Sequence, residues 1–329
     1  RTLESALSRE AAFLVNNLLF LTIAFVTLWG VVYPIISDIV HSEIITVGKP
    51  FYDQVNGPLF LGLIFLMGVA PFMPWRHTSW SNLRKALMLP LVSAITVAAL
   101  LLFMGVTKHW ALAAFGLCAL VVAGIFREWV RGVLSRHKKG ESYPVAFARL
   151  IAGNRPRYGG YVVHLAIVLL VLGITGSSFY DVQRDVVISP GESADIGEYT
   201  IKYIGTSAVK KADRTETRTE VQVFRGDDFL GTYHPKRDYY PSFNMASTRA
   251  AIRSTPVEDL YIIPGEFLED GRAIFRVYVN PLVMWIWVAG PLLFLGVTVA
   301  LWPQKEAAAG AHVLRPRGGT SASSGVITR

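Results

Sequence analysis

The sequence predicts a membrane all-α bundle of about six transmembrane helices with an inserted extracytoplasmic all-β domain, and three observations predict it. Hydrophobic residues make up 52% of the chain and charged residues only 17%, well under the ~25% charge of an ordinary globular domain. Six stretches are long and apolar enough for helices that span a bilayer core of ~20 residues. Between the fifth and sixth of them, the long apolar runs give way to short alternating stretches punctuated by turn residues.

The first span is expected from Ala11 to about Ile36, and the second from Val55 to Met73, carrying Pro58 and Pro71. The third is expected over Ala86–Val106, the fourth over Trp110–Phe126, the fifth over Tyr158–Ser178 and the sixth over Asn280–Leu301. Several of these runs are rich in glycine, which suits close helix packing in lipid.

Charge in the connections sets the expected orientation. Arg76, Arg84 and Lys85 stand between spans two and three with no acid. The Arg127–Arg157 loop carries eight Lys or Arg against Glu128 and Glu141. The tail carries Lys305, Arg315, Arg317 and Arg329 against Glu306. These belong inside. The Ser37–Gln54 loop, with one Lys and three acids, belongs outside, as does the Thr107–His109 turn. Both ends then lie inside, and residues 179–279 lie in the periplasm or an equivalent extracytoplasmic space, with the chain in the plasma (inner) membrane. The expected division is a membrane domain over 1–178, a β domain over 179–279, a last helix over 280–302 and a disordered tail over 303–329.

In the β domain, strands are expected at Asp185–Ile188, Tyr199–Ile204, Thr219–Phe224, Leu230–Tyr233, Leu260–Ile263 and Ile274–Tyr278. They imply a small antiparallel sandwich or barrel, with Lys210–Glu220 as an exposed loop. The tail from Ala307 is rich in Ala, Gly and Ser.

The sequence pI is about 9.6, but the excess cations sit beside apolar runs, which argues against nucleic acid as a partner and for membrane lipid. The one cysteine, Cys118, excludes an intramolecular disulfide and a cysteine metal cluster. Phosphate-binding loops, dinucleotide fingerprints, zinc-protease motifs and nucleophile elbows are absent from the sequence.

Of seven histidines, only His164 falls inside a span. An ionisable group there is costly and often functional, and neutral imidazole is a good haem-iron ligand. The alternative is a hydrogen bond across a helix interface. His41, His77, His109, His137, His234 and His312 read as solvated. Arg155 and Arg157, opening the fifth span, are either positive-inside anchors or partners for ligand carboxylates. Trp285 and Trp287, opening the sixth, are either an interfacial aromatic belt or a stacking surface for a flat ligand.

Several blocks resemble the C-terminal half of the CcmF family of cytochrome c-type biogenesis proteins. They include Thr27-Leu28-Trp29-Gly30-Val31-Val32-Tyr33-Pro34 and Val47-Gly48-Lys49-Pro50-Phe51-Tyr52-Asp53-Gln54-Val55-Asn56. Tyr158-Gly159-Gly160-Tyr161-Val162-Val163-His164, Pro235-Lys236-Arg237-Asp238-Tyr239-Tyr240 and Val277-Tyr278-Val279-Asn280-Pro281-Leu282-Val283-Met284-Trp285-Ile286-Trp287 follow in order.

The resemblance implies a component of a haem lyase, a thioether-forming enzyme that attaches haem to apocytochrome c on the outer side of the membrane. It implies a b-type haem in the membrane, with His164 as one iron ligand. Implied partners are a haem carrier protein, apocytochrome c, other cytochrome c maturation proteins, and the family's N-terminal half or this protein's own missing segment. That half carries the second membrane histidine and a tryptophan-rich motif, neither found in this sequence. The chain begins at Arg1, so the expectation is a fragment, a processed chain or a split protein, incomplete as a catalyst. The competing readings are a non-catalytic scaffold docking maturation partners and a haem transporter. With one histidine and no cysteine, the β domain is expected to bind protein rather than haem.

Overall fold

The computed structural model describes residues 8–73 and 80–303. Helix α1 spans Arg9–His41, started by the Ser8 hydroxyl, which accepts from the Ala11 N–H at 3.1 Å; this satisfies an otherwise orphan donor of the first turn. Helix α2, Lys49–Val69, begins with Pro50, pre-set for a helix start, and tightens into a 3-10 turn at Ala70–Phe72. Helices α3 (Trp80–Phe103), α4 (His109–His137), α5 (Tyr143–Gly153), α6 (Arg155–Phe179) and α7 (Val283–Leu301) follow. Six of these seven are long and apolar enough to cross a membrane, α5 being the short exception. Leu18, Phe25, Phe103 and Phe294 stay exposed, as lipid-facing side chains must. This is a multi-pass membrane protein.

The expected spans all appear, but the basic Arg127–Arg157 segment is not a loop. Helix α4 runs on to His137, because Arg, Glu, Trp and Leu after Phe126 are all compatible with helix. Gly140, at φ +94°, ends the connection, and α5 follows. Glu141 ties the two helices, accepting from Arg136 at 3.4 Å and from Arg149 at 3.0 Å. His77, Arg76, His312 and the expected tail after Pro303 lie outside the described residues.

Between α6 and α7 the chain forms a β sandwich in which every pairing is antiparallel. Its strands are β1 (Val182–Ile188), β2 (Ser193–Ile196), β3 (Tyr199–Lys210), β4 (Thr215–Arg225), β5 (Asp228–Tyr233), β6 (Lys236–Tyr240), β7 (Met245–Arg249), β8 (Ala251–Ser254), β9 (Glu258–Phe267) and β10 (Ala273–Pro281). One sheet has the order β1-β10-β9-β8; the other has β2-β3-β4-β6-β7, with β5 also on β4. Alternate residues point inward: Tyr199, Ile201 and Tyr203 from β3, Val221 and Val223 from β4, and Phe275 and Val277 from β10. The Tyr203 and Phe275 rings meet edge-on at 5.4 Å, a favoured aromatic geometry.

Residues 210–220 were expected to be an exposed loop, and here the structure corrects the sequence reading. Strands β3 and β4 pair through Lys210↔Thr215, so only the tip turns. The polar residues there pack the sheet's non-core face. Glu216 and Asp238 stand opposite each other in the β4–β6 register, each 1% exposed. Lys211 and Arg218 reach Glu216, each at 2.5 Å, while Arg249 pairs with Asp238. The hydrogen bonds from Lys211 and then Arg218 hold the Glu216 carboxyl at about 2, because they favour its charged form. The short strands β2, β6, β7 and β8 had no hydrophobic alternation to announce them.

The sandwich is joined to the bundle through a continuous stem. Helices α6 and α7 run antiparallel, and β1 and β10 extend the same pair, starting at Val182↔Val279. The helices approach closely because Gly159 and Gly296 have no side chain. A Cβ on Gly159 would lie 2.5 Å from the Ala300 nitrogen, and one on Gly296 would lie 2.7 Å from the Val163 nitrogen. At the strand-to-helix junction Leu282 adopts φ +62°. Its N–H donates to the Val257 carbonyl at 2.8 Å, and the Trp285 indole donates to Pro256 at 2.9 Å.

Two outcomes are expected. Gly159→Val should destabilise the detergent-solubilised chain by about 1–3 kcal/mol, the usual cost of overpacking, read as a lower thermal midpoint. Glu216 has a depressed folded pKa, so its contribution is present above the ordinary glutamate range and is lost as pH falls from 4.5 toward about 2. Wild type should therefore lose stability over that window, while Glu216→Gln, less stable at pH 7, should show a shallower acid loss in the same melts.

Candidate functional site: a cleft in the bundle

Helix α1 leans on α2, and α2 and α6 lean on α4. The space left between α1 and α6 is a cleft of about 1650 Å³. Helix α6 presents one stripe to it at three- and four-residue spacing: Arg157, Tyr161, His164, Ile167, Val171, Ile174 and Ser178. The opposite face of α6, with Gly159, is the one against α7. Polar groups therefore face the cleft, and small ones face the neighbouring helix.

His164 lies part-way along this wall. Its Nδ1 is buried with no hydrogen-bond partner among the described residues. Leaving such a group unpaired costs about 1–3 kcal/mol, so a ligand or partner that engages it gains that much. Arg157 lies two turns away on the same stripe, roughly 10 Å by helical rise. Its Nε donates to the Tyr161 hydroxyl at 3.1 Å, and its guanidinium pairs with Glu128 of α4 at 2.5 Å. Arg9, which donates to the Pro71 carbonyl at 3.0 Å, adds a second cation at that end.

The far end is lined by α2. Lys49, Tyr52, Asp53 and Asn56 share one face, with Lys49 and Asp53 3.8 Å apart. Tyr52 fits because Gly30 leaves its hydroxyl room. Asn56 is buried; its amide donates to the Thr27 hydroxyl at 3.4 Å, and its Oδ1 has no partner among the described residues. Sequence reasoning quoted this run without singling out its side chains. The i, i+3, i+4, i+7 spacing of polar residues in Lys49–Asn56 was the available signal.

Of the five candidate residues, the structure brings His164 and Arg157 to one cleft. Arg155, Trp285 and Trp287 are not among its lining residues. The Arg155 guanidinium donates to the Pro303 carbonyl at 2.7 Å, Trp285 serves the stem junction, and Trp287 is 73% exposed. His109 meets the Trp110 ring at a tilt, His137 stacks against Tyr143, and His234 is exposed. Cys118 is buried.

The cleft predicts a labelling pattern. In a Cys118→Ser background, Ile167→Cys should react with a small membrane-permeant maleimide. Val168→Cys, one position on and 2% exposed, should stay unmodified in the folded protein, as read by mass spectrometry.

Residues 179–281 match the family model described as the CcmF C-terminal beta-sandwich. A cytochrome c-type biogenesis protein CcmF from Pseudomonas aeruginosa is 32% identical over 295 residues, which is 89% of this chain and 44% of that protein. The CcmF of Escherichia coli is 28% identical over 299 residues, 90% of this chain and 44% of that one. A solved structure titled cytochrome c heme lyase CcmF superposes with a TM-score of 0.75 at 29% identity, covering 91% of this chain and 46% of that one. The chain thus spans somewhat under half the length of these relatives. In its β domain, in sequence along nine-tenths of its length and in fold, the chain is the counterpart of the C-terminal half of the CcmF family of cytochrome c-type biogenesis proteins.

Proposed function

We propose that the chain is the haem-holding C-terminal part of a cytochrome c maturation haem lyase, with a b-type haem held in the cleft through His164. The single observation that carries this is the His164 imidazole, with a buried nitrogen lacking a partner, in a membrane cleft larger than an ordinary small-ligand pocket of about 300–1000 Å³. The residues fit such a group. His164 would furnish one imidazole nitrogen to the iron, and a further ligand would come from outside the chain. Arg157, beside Tyr161 and Glu128, and Arg9 would face the propionate carboxylates. When bound, a b-type haem supplies a one-electron redox centre tuned by its axial ligands. The chain's own residues bind it, orient it and keep bulk water from it.

The relatives' names support the wider role, the attachment of haem to apocytochrome c. In this reading the basic ends of α4 and α6 face the cytoplasm, as positive-inside charge favours. Both chain ends then lie inside, and the sandwich stands on the outer side. There it would meet a haem carrier, apocytochrome c or other maturation proteins. Catalysis would require the part of the family that this chain does not span.

The test is His164→Ala in an assembly co-expressed with the N-terminal half of a CcmF relative. Haem absorbance of the purified assembly should fall to near baseline, and cytochrome c yield with it. If both stay at wild-type level, the chain acts as a docking scaffold and the haem reading is wrong.

A further inference from the structure

Helix α4 carries a row of side chains at four-residue spacing, Arg127, Arg131 and Ser135, that borders two cavities at once. The first is a polar pocket of about 470 Å³ between α3, α4 and α6, where Arg127, Arg131 and Arg157 gather with Ser135 and Tyr158 against the single carboxylate of Glu128. Arg127 donates to the Ala86 carbonyl and lies 5.9 Å over the Phe72 ring. Arg157 is engaged by Glu128. Arg131 is exposed and has neither an ion pair nor a hydrogen bond among the described residues. The second cavity is a groove of about 720 Å³ along α3 and α4, lined by Leu89, Ala123, Phe126, Val130 and Leu134.

The level of this row in the membrane matters. Arg127 directly follows the apolar run of α4, Arg84 and Lys85 directly precede that of α3, and Arg157 opens α6. Three helices therefore change from polar to apolar at one height, and the groove straddles it, from Leu134 and Lys138 on the polar side to Ala123 and Ser93 on the apolar side. A free phosphate would satisfy the guanidinium groups and leave the groove empty. An uncharged acyl chain would fill the groove and leave Arg131 without an anion. A lipid with a phosphate headgroup and net negative charge matches both parts and has the same step in polarity. Guanidinium pairs with phosphate through two parallel hydrogen bonds, and basic pockets between membrane helices suit anionic headgroups. We infer that the Arg127–Arg131–Ser135 row is a binding site for an anionic phospholipid, with the headgroup phosphate in the polar pocket and one acyl chain in the α3–α4 groove.

The test uses the purified, delipidated chain in detergent, titrated with phosphatidylglycerol or phosphatidylcholine and read by native mass spectrometry. Phosphatidylglycerol should be retained in preference to phosphatidylcholine. Arg131→Gln should weaken its retention about fivefold, the loss expected for one cation at an anionic headgroup, while Arg131→Lys should keep most of it. Ala123→Phe, which fills the groove while keeping every charge, should weaken retention as well. Excess inorganic phosphate should not displace the lipid. Equal retention of the two lipids, wild-type retention in Arg131→Gln, or displacement by inorganic phosphate together with no effect of Ala123→Phe would each overturn the site. The Ala123→Phe arm stands by itself should Arg131→Gln fail to fold, which thermal melts of each variant reveal.

Discussion

The close antiparallel contact of α6 with α7 is the constraint on which the rest of the structure hangs. Helix association in lipid gains little from the hydrophobic effect, so it depends on backbones approaching closely enough for dispersion. Gly159 and Gly296 permit that approach by offering no side chain where Ala300 and Val163 come in. The same pair fixes which side of α6 remains free. With its small face spent on α7, the face carrying Arg157, Tyr161 and His164 is turned to the cleft.

The stem also explains how a soluble-type sandwich can be inserted between two membrane helices without losing its orientation. Helices α6 and α7 hand over directly to β1 and β10, which are themselves paired. The Val257 carbonyl, the Pro256 carbonyl and the left-handed Leu282 then lock the change from strand to helix. The sandwich has a conventional apolar core on one side of its larger sheet. On the other side, Glu216 and Asp238 are buried beneath arginine and lysine side chains. Two adjacent buried carboxylates are tolerable only because each is engaged by cations. That makes the basic residues of this face a structural requirement, over and above any surface role.

Polar groups in the bundle are few, and they are concentrated. His164, Arg157, Asn56 and Thr175 all line the same cleft. In a medium where an unsatisfied polar group is expensive, such concentration singles out one region of the bundle. The second concentration, at the basic end of α4, differs in kind. It lies where the helices turn from apolar to polar and borders an apolar groove. One region is arranged around a buried imidazole, the other around the edge of the bilayer.

The sequence alone determined the class of protein, the six spans and the existence of an inserted β domain. Length and apolarity of a segment are local properties, and a bilayer enforces them segment by segment. It also picked out His164, since an ionisable residue within an apolar run is visible without any structure. Only the tertiary structure decided which residues share a site. His164 and Arg157 are joined by the face of α6 they occupy, and Trp285 and Arg155 were diverted to backbone carbonyls of Pro256 and Pro303. Neither assignment is legible in a helix that is apolar on nearly all sides, because what distinguishes its faces is side-chain size against a neighbour. The hidden strands β2, β6, β7 and β8, and the buried Glu216–Asp238 pair, were equally out of reach. Strand β7 is exposed along its whole length and β8 buries none of its residues, so nothing but backbone pairing marks them, and Glu216 is buried opposite Asp238 only once the sheet has formed.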